Sequence, residues 1–201
     1  MTYHIIKRGL DLTGALLGLT LLSPILILVS IMIKLDSPGP VFFRQKRIGQ
    51  HRTTFTILKF RTMKQDVPKD VPTHLLNTPE KYLTGLGKWL RKTSIDELPQ
   101  LWNVLRGEMS LVGPRPALYN QYDLIELREA YGVHEVKPGV TGLAQINGRD
   151  ELTIEAKAEF DREYVKKCSI LIDIGICCRT MIQIVKGKGI KEGYYEDSDH
   201  R

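Results

Sequence analysis

Two neighbouring carboxylates, Asp96 and Glu97, stand in the tetrad Ser94-Ile95-Asp96-Glu97, directly ahead of the apolar positions Leu98, Leu101, Trp102 and Leu105. Those four positions fall at i, i+3, i+4 and i+7, the spacing of one buried helix face. Two readings fit the tetrad. In the first, Ser94 and Glu97 make an S-x-x-E capping box and Asp96 favours the positive helix end. Pro99 is tolerated in a first turn, and Ser94 and Asp96 remain alternative caps. In the second, the free N–H groups of the helix start bind phosphate and the two acids divide the chemistry. Adjacent helical side chains point about 100° apart, so both cannot act on one atom. One could attack a phosphorus as a covalent nucleophile. The other could hold a Mg²⁺ that screens the phosphate oxygens, without which the like charges repel.

Cations surround this pair in the sequence. Arg91 lies just upstream, and Lys59 and Arg61 belong to Lys59-Phe60-Arg61-Thr62-Met63. Arg115 stands between Pro114 and Pro116, and Arg149 closes a stretch containing Gly139, Gly142 and Gly148. Guanidinium forks match phosphate oxygens.

The elements that must position these residues can be read from periodicity. Residues 41–43 and 54–58 form two short apolar strands that can pair as a hairpin across the basic connection 44–52. Residues 64–80 are polar, hold three prolines and read as a loop. Leu83, Leu86 and Leu90 predict one helix, and the Leu98 stripe a second that ends at Arg106-Gly107 with a glycine cap. Residues 113–116 and 138–149 read as loops, and 119–131 as a helix. Residues 152–167 predict an amphipathic helix with Ala156, Phe160 and Tyr164 on its inner face. Residues 170–185 are apolar but hold Asp173 and Arg179, and are short for a membrane span. A core helix or one lying on a membrane surface fits better, and the basic Lys186, Lys188 and Lys191 suit anionic head groups. The fold class is α+β, mainly helical, with a small β-hairpin.

The N-terminus is different in kind. No charged residue interrupts residues 12–33, which meets the ~20 residues a spanning helix needs. Ser23-Pro24 lies in the middle of that run, and a proline there removes a helix hydrogen bond. Basic residues flank both sides: Lys7 and Arg8 before, then Lys34, Arg44, Lys46 and Arg47. By the positive-inside rule both ends favour the cytoplasm. A kinked span and a helix that breaks at Ser23-Pro24, dips into the bilayer and returns are the two solutions. The expected division is a membrane-anchoring segment over residues 1–36 and a catalytic domain over 37–201.

Composition narrows the partners. The 201-residue chain carries a net charge of +6, with a pI near 9.2, which suits anionic lipid, nucleic acid or a phosphorylated substrate. No nucleic-acid-binding motif accompanies the charge, so that class is set aside. The three cysteines, Cys168, Cys177 and Cys178, show no C-x-x-C pair and support neither a disulfide framework nor a zinc site. A lipid-binding module without catalysis would explain the apolar segment and the charge, but not paired acids among cations. A phosphatase or nucleotidase using water as acceptor would explain the acids.

Several blocks resemble the monotopic phosphoglycosyl transferases, the bacterial initiating sugar transferases. They are Lys7-Arg8 with Asp11, Ser23-Pro24, Pro38-Gly39-Pro40-Val41, Arg44-Gln45 with Arg47 and Gly49, and Lys59-Phe60-Arg61-Thr62-Met63. The dyad block continues through Leu98-Pro99-Gln100-Leu101-Trp102-Asn103-Val104, and Val112-Gly113-Pro114-Arg115-Pro116 and Pro138-Gly139-Val140-Thr141-Gly142 follow in order. The resemblance implies transfer of a sugar phosphate from a UDP-sugar to polyprenyl phosphate, releasing UMP. It implies Asp96 as nucleophile, Glu97 as the Mg²⁺ ligand, and Lys59, Arg91 and Arg115 on phosphates. Arg149 and Asp173 join the substrate-binding candidates. It also implies a re-entrant helix broken at Ser23-Pro24, the cytoplasmic face of a bacterial cell membrane, and the minimal catalytic form of the family. Downstream glycosyltransferases and a second copy of the chain are compatible further partners.

Overall fold

The computed structural model describes residues 2–65, 67, 81–148 and 151–186. It is mainly helical, with two small two-stranded sheets. The first helix, α1 (Thr2–Asp36), runs through Pro24 as one element. The interruption expected at Ser23-Pro24 does not divide it. Proline removes one donor and kinks a helix rather than ending it, and Ser23 Oγ turns back to donate to the Thr20 carbonyl at 2.8 Å.

One stripe of α1 faces the rest of the chain. Arg8, Asp11, Ala15, Gly18, Leu22, Leu26, Val29 and Ile33 recur every three or four residues and are buried or half-buried. Leu16, Leu17, Leu21, Ile25, Ile27 and Leu28 point the other way and are exposed. Only 11% of the most apolar window is buried, at a mean hydropathy of 2.6. A core helix of a water-soluble fold would bury far more.

The hairpin forms in an extended version of the expected place. β1 (Phe42–Ile48) pairs antiparallel with β2 (Thr54–Phe60), in a register that sets Phe43 opposite Lys59 and Arg47 opposite Phe55. Much of the basic connection is therefore strand. Phe55 and Ile57 pack with Ala15 of α1 and with Leu101, Val104 and Met109. Phe60 packs with Val29, Ile33 and Leu90. Each such side chain contributes roughly 1.5–3 kcal/mol when fully buried, so α1 supplies part of the core.

α2 (Gly85–Lys92) is capped by Thr84, whose Oγ1 accepts from Gly87 N at 2.9 Å. α3 (Gln100–Leu105) is shorter than the Leu98 stripe predicts, because a 3₁₀ turn occupies residues 95–97. Gly107, at φ +81°, ends the helix as expected. β3 (Ser110–Val112) and β4 (Gly139–Thr141) make a parallel pair, β4 where a loop was expected and β3 just ahead of the expected loop 113–116. Their contact demands glycine. A Cβ on Gly139 would lie 2.1 Å from Gly113 N, and one on Gly142 2.1 Å from Gly113 O.

α4 (Tyr122–Ala130) is followed, after β4, by α5 (Leu143–Ile146), α6 (Ile154–Lys167) and α7 (Ile170–Lys186). The inner face of α6 is Ala158, Asp161 and Tyr164 rather than the expected Ala156, Phe160 and Tyr164. The difference arises because a carboxylate, Asp161, occupies the buried stripe. α7 has the two faces expected of it: Asp173 and Ile176 are buried, while Leu171, Ile174, Met181 and Ile182 are exposed. The loop over residues 64–80 lies largely outside the described residues, as do Lys188 and Lys191.

Polar ties fix α1 at both ends. Arg8 donates to the carbonyls of Val104 and Leu105, satisfying the end of α3. Asp11 accepts from Ser110 Oγ and Leu111 N. At the other end Arg61, buried, donates to the carbonyls of Ile33, Ser37 and Pro38 and to Ser37 Oγ. Arg61→Ala is therefore expected to cost about 2–3 kcal/mol, read as a lowered thermal-unfolding midpoint in detergent. Arg61→Lys should recover less than half, because an ammonium cannot reach four spread acceptors. An unchanged midpoint for Arg61→Ala would show that apolar packing alone holds the end of α1.

Candidate active site

The dyad sits on the 3₁₀ turn Ile95–Glu97 between α2 and α3. Ser94 enters it at φ 57°, ψ 16°, a left-handed conformation that costs a non-glycine residue about 1–2 kcal/mol. Its side chain caps nothing, so the capping box is not formed. Glu97 cannot reach back to complete it, because two cations hold its carboxylate. Lys59 Nζ and Arg115 Nη2 each donate to Glu97 Oε1 at 2.8 Å, and Arg115 Nη1 lies 3.4 Å from Oε2. Charge-assisted bonds of this kind outcompete a single neutral N–H.

Asp96 is buried beside it under different conditions. Among the described residues no hydrogen bond or ion pair occupies its carboxylate. Burial raises its pKa from 3.8 to about 6; the Lys59, Arg91 and Arg115 charges oppose the rise and Glu97 adds to it. For Glu97, burial also pushes upward, but Arg115 and Lys59 outweigh it and hold the carboxyl well below its ordinary range. Burial lowers the Lys59 pKa in turn, against the pull of Glu97. One acid is clamped and ionised; the other is unclamped and basic for a carboxylate.

Each partner is delivered by a different element. Lys59 comes from β2, whose free edge is bound by Asn103 of α3: Leu58 N donates to Asn103 Oδ1, and Asn103 Nδ2 donates to the Thr56 carbonyl. Arg115 comes from the proline loop, whose carbonyls are taken one at a time. Gly139 N donates to Pro114 O, Arg128 Nη1 to Arg115 O, Arg47 Nη1 to Pro116 O and Ile48 N to Ala117 O, at 2.8–3.1 Å. Arg91, from the last turn of α2, donates through Nε to Thr62 Oγ1 and lies close enough to act on the Asp96 charge.

The structure thus brings Asp96, Glu97, Lys59, Arg91 and Arg115 together. Arg149 lies outside the described residues. Asp173 belongs to another cluster: Lys7 Nζ is 2.7 Å from its Oδ2, Tyr3 Oη donates to the same oxygen, and Tyr164 Oη donates to Oδ1. That cluster joins α1, α6 and α7. Sequence reading did not single out Asn103, Arg128 or Asp161. For the latter two a signal existed, a charged residue at the buried period of an amphipathic helix: Leu124, Ile125 and Arg128 in α4, and Ala158, Asp161 and Tyr164 in α6.

Among the described residues no group of three or more His, Cys, Asp or Glu gathers as a metal cage. A Mg²⁺ needs less protein than that, because it usually keeps waters and substrate phosphates with one or two carboxylates. Glu97 fits such a role. It is ionised and its Oε2 is only loosely held, at 3.4 Å.

A buried acid pair ringed by cations, on a chain whose first helix is long, apolar and mostly exposed, is the arrangement of an enzyme site, and the helix suits association with a membrane. The chain belongs to the bacterial sugar transferase family, which it matches over residues 2–187. It is 45% identical over 188 residues to the uncharacterized sugar transferase EpsL of Bacillus subtilis, covering 94% of this chain and 91% of that protein. It is 44% identical over 188 residues to the UDP-glucose:undecaprenyl-phosphate glucose-1-phosphate transferase of Escherichia coli, covering 90% of this chain and 40% of that one. Over 187 residues it is 44% identical to the undecaprenyl-phosphate glucose phosphotransferase of Komagataeibacter xylinus, covering 87% and 35%. The chain spans less than half the length of the latter two.

The unequal acids give opposite stability expectations. Asp96 has a folded-state pKa raised above its unfolded value, so its ionised form costs stability above pH ~6, and the cost fades as pH falls toward 4. Asp96→Asn should raise the unfolding midpoint at pH 7–8 by the equivalent of roughly 2–3 kcal/mol. Glu97→Gln should lower it by about 3 kcal/mol, because Lys59 and Arg115 lose their counter-charge. Equal effects of the two substitutions on thermal unfolding would refute the division.

Proposed function

We propose that this chain transfers a sugar 1-phosphate from a UDP-sugar to polyprenyl phosphate, giving polyprenyl-diphosphate sugar and UMP, as the first membrane step of glycoconjugate assembly. The observation that carries this reading is the division within the dyad: Glu97 clamped by two cations, Asp96 buried and unclamped. The substrate classes are those in the printed names of the E. coli and K. xylinus relatives.

In the proposed reaction Asp96 Oδ attacks the phosphorus that bears the sugar. The Asp96 O–P bond forms as the bond to the bridging diphosphate oxygen breaks, and UMP leaves with that electron pair. A phosphate oxygen of the polyprenyl phosphate then attacks the same phosphorus and releases Asp96. Lys59, Arg91 and Arg115 offset the charge on the phosphoryl oxygens as it builds. Arg149 and Asp173 remain substrate-binding candidates. Glu97 would hold Mg²⁺, which when bound supplies further screening of the diphosphate.

The membrane arrangement we propose is re-entrant, on the cytoplasmic face. As a straight rod α1 would be ~52 Å long, more than the ~30 Å hydrocarbon core. Yet the body touches it almost throughout. Leu19 packs with the Phe55 cluster and Leu26 with the Phe60 cluster, so the longest stretch between contacts is only ~10 Å. This supports a helix that enters and leaves by one face, bending at Ser23-Pro24, with residues 1–36 as anchor and the remainder as catalytic domain.

UMP release from a UDP-sugar panel should require both polyprenyl phosphate and Mg²⁺; release indifferent to the lipid would point to hydrolysis instead. Asp96→Asn should lower turnover by at least ~10⁴-fold and abolish any covalent phosphosugar adduct in a mass spectrum. Near-normal rates would remove Asp96 as nucleophile. In a background without native cysteines, His4→Cys and Pro40→Cys should both react with an impermeant reagent from the cytoplasmic side only. Labelling from opposite sides would restore a simple span.

A further inference from the structure

We infer that Asp161 and Arg128 are positioning residues for the reaction, a buried anchor that fixes the main chain at Arg115 and through it the clamp on Glu97. This rests on the transferase reading above and deepens it. Neither residue faces solvent: Asp161 is 1% exposed and Arg128 4%. Arg128 Nε and Nη2 both donate to Asp161 Oδ2, at 2.9 and 2.5 Å. Its remaining terminal nitrogen, Nη1, leaves the pair and donates to the Arg115 carbonyl at 2.8 Å.

Stability alone does not account for such a pair. Two charges taken out of water cost several kcal/mol each, and apolar residues of equal volume are commonly as good. Nor is Asp161 there to gather hydrogen bonds, since among the described residues its buried Oδ1 has no partner. Among the described residues the hydrogen bonds to the engaged oxygen come from Arg128, and the guanidinium's outward bond ends on Arg115.

That carbonyl is a difficult one to hold. Pro114 and Pro116 flank it, lack N–H groups and cannot join a ladder. The Arg115 side chain must hold its guanidinium against Glu97 at 2.8 Å, and a loose main chain would let it swing. A charge-assisted bond from a donor that is itself locked by a carboxylate fixes the carbonyl more firmly than a neutral donor would. The line of contact runs from α6 through α4 to the proline loop and then to the dyad turn.

The test is a double-mutant cycle on the full chain in detergent or nanodiscs, scored by lipid-dependent UMP release and by thermal unfolding. Asp161→Asn keeps an oxygen for Arg128 but removes the charge. It should lower kcat about 10- to 100-fold, with KM for the UDP-sugar changed less than threefold. In an Arg115→Ala background the same substitution should cost less than threefold in kcat, because the clamp it positions is already gone. Its effect on the unfolding midpoint should be alike in both backgrounds. A purely structural pair would give the same kcat loss in both backgrounds, or none beyond the lost folded fraction, and either result overturns the inference. Should Asp161→Asn fail to accumulate folded, Arg128→Lys carries the same cycle, since an ammonium cannot bridge both partners. If the unaltered chain shows no lipid-dependent turnover, the transferase reading fails and takes this inference with it. Turnover with independent losses sinks the inference alone.

Discussion

Two carboxylates on adjacent residues of one buried turn cannot both be charged and unpaired. Their mutual repulsion and the cost of desolvation forbid it. The structure answers by unequal sharing. Glu97 takes Lys59 and Arg115, while Asp96 keeps only the more distant fields of the same cations and of Arg91. Much of the surrounding architecture can be traced to that arrangement. Lys59 must arrive on a strand, so β2 is pinned along its open edge by Asn103. Arg115 must arrive on a loop stiff enough to hold it, so the loop is built on two prolines and its carbonyls are bonded one by one.

The apolar helix is part of this construction rather than a tether added to it. Arg8 closes the end of α3 and Asp11 holds the start of β3. Ala15, Val29 and Ile33 are core residues by burial, and a Cβ on Gly14 or Gly18 would lie 2.8 or 2.9 Å from a δ-methyl of Leu111 or Leu101, which would have to move aside. The helix therefore has two solvents. Its inner stripe carries the tie points of a folded protein, and its outer face carries the leucines and isoleucines of a lipid-contacting one. The apolar outer face and the ties that position the site share one helix, on opposite sides of it.

What was legible in the sequence followed from periodicity and from residue chemistry at the dyad. The hairpin, α2, α6 and α7 had the right period or alternation and formed close to where it placed them. Two kinds of feature were hidden. β3 and β4 are three residues long and bounded by glycine and proline, too short to show alternation; their pairing comes from the close contact of Gly113, Gly139 and Gly142. The capping box, one of the two readings open at the tetrad, fails for the opposite reason, because a local pattern is present but a long-range interaction overrides it. Lys59 is 38 residues from Glu97 and Arg115 is 18, and no window around Ser94 contains both. The same holds for Arg128 and Asp161, 33 residues apart.

The unclamped state of Asp96 suits the proposed reaction. An ion-paired carboxylate has a depressed pKa and is a weaker nucleophile, and its partner must be stripped away before attack. With a pKa near 6, Asp96 remains about 90% ionised at pH 7 yet is more basic than a surface carboxylate. Holding it so destabilises the fold, and that cost falls on the same turn whose next residue is the best-paired acid near the site. Glu97 with its two cations holds the turn together while Asp96 stays free to react. Under the proposed reaction, exchanging the two residues would put the clamp on the attacking group and leave the turn without its tie, which gives the order Asp-Glu a physical reason.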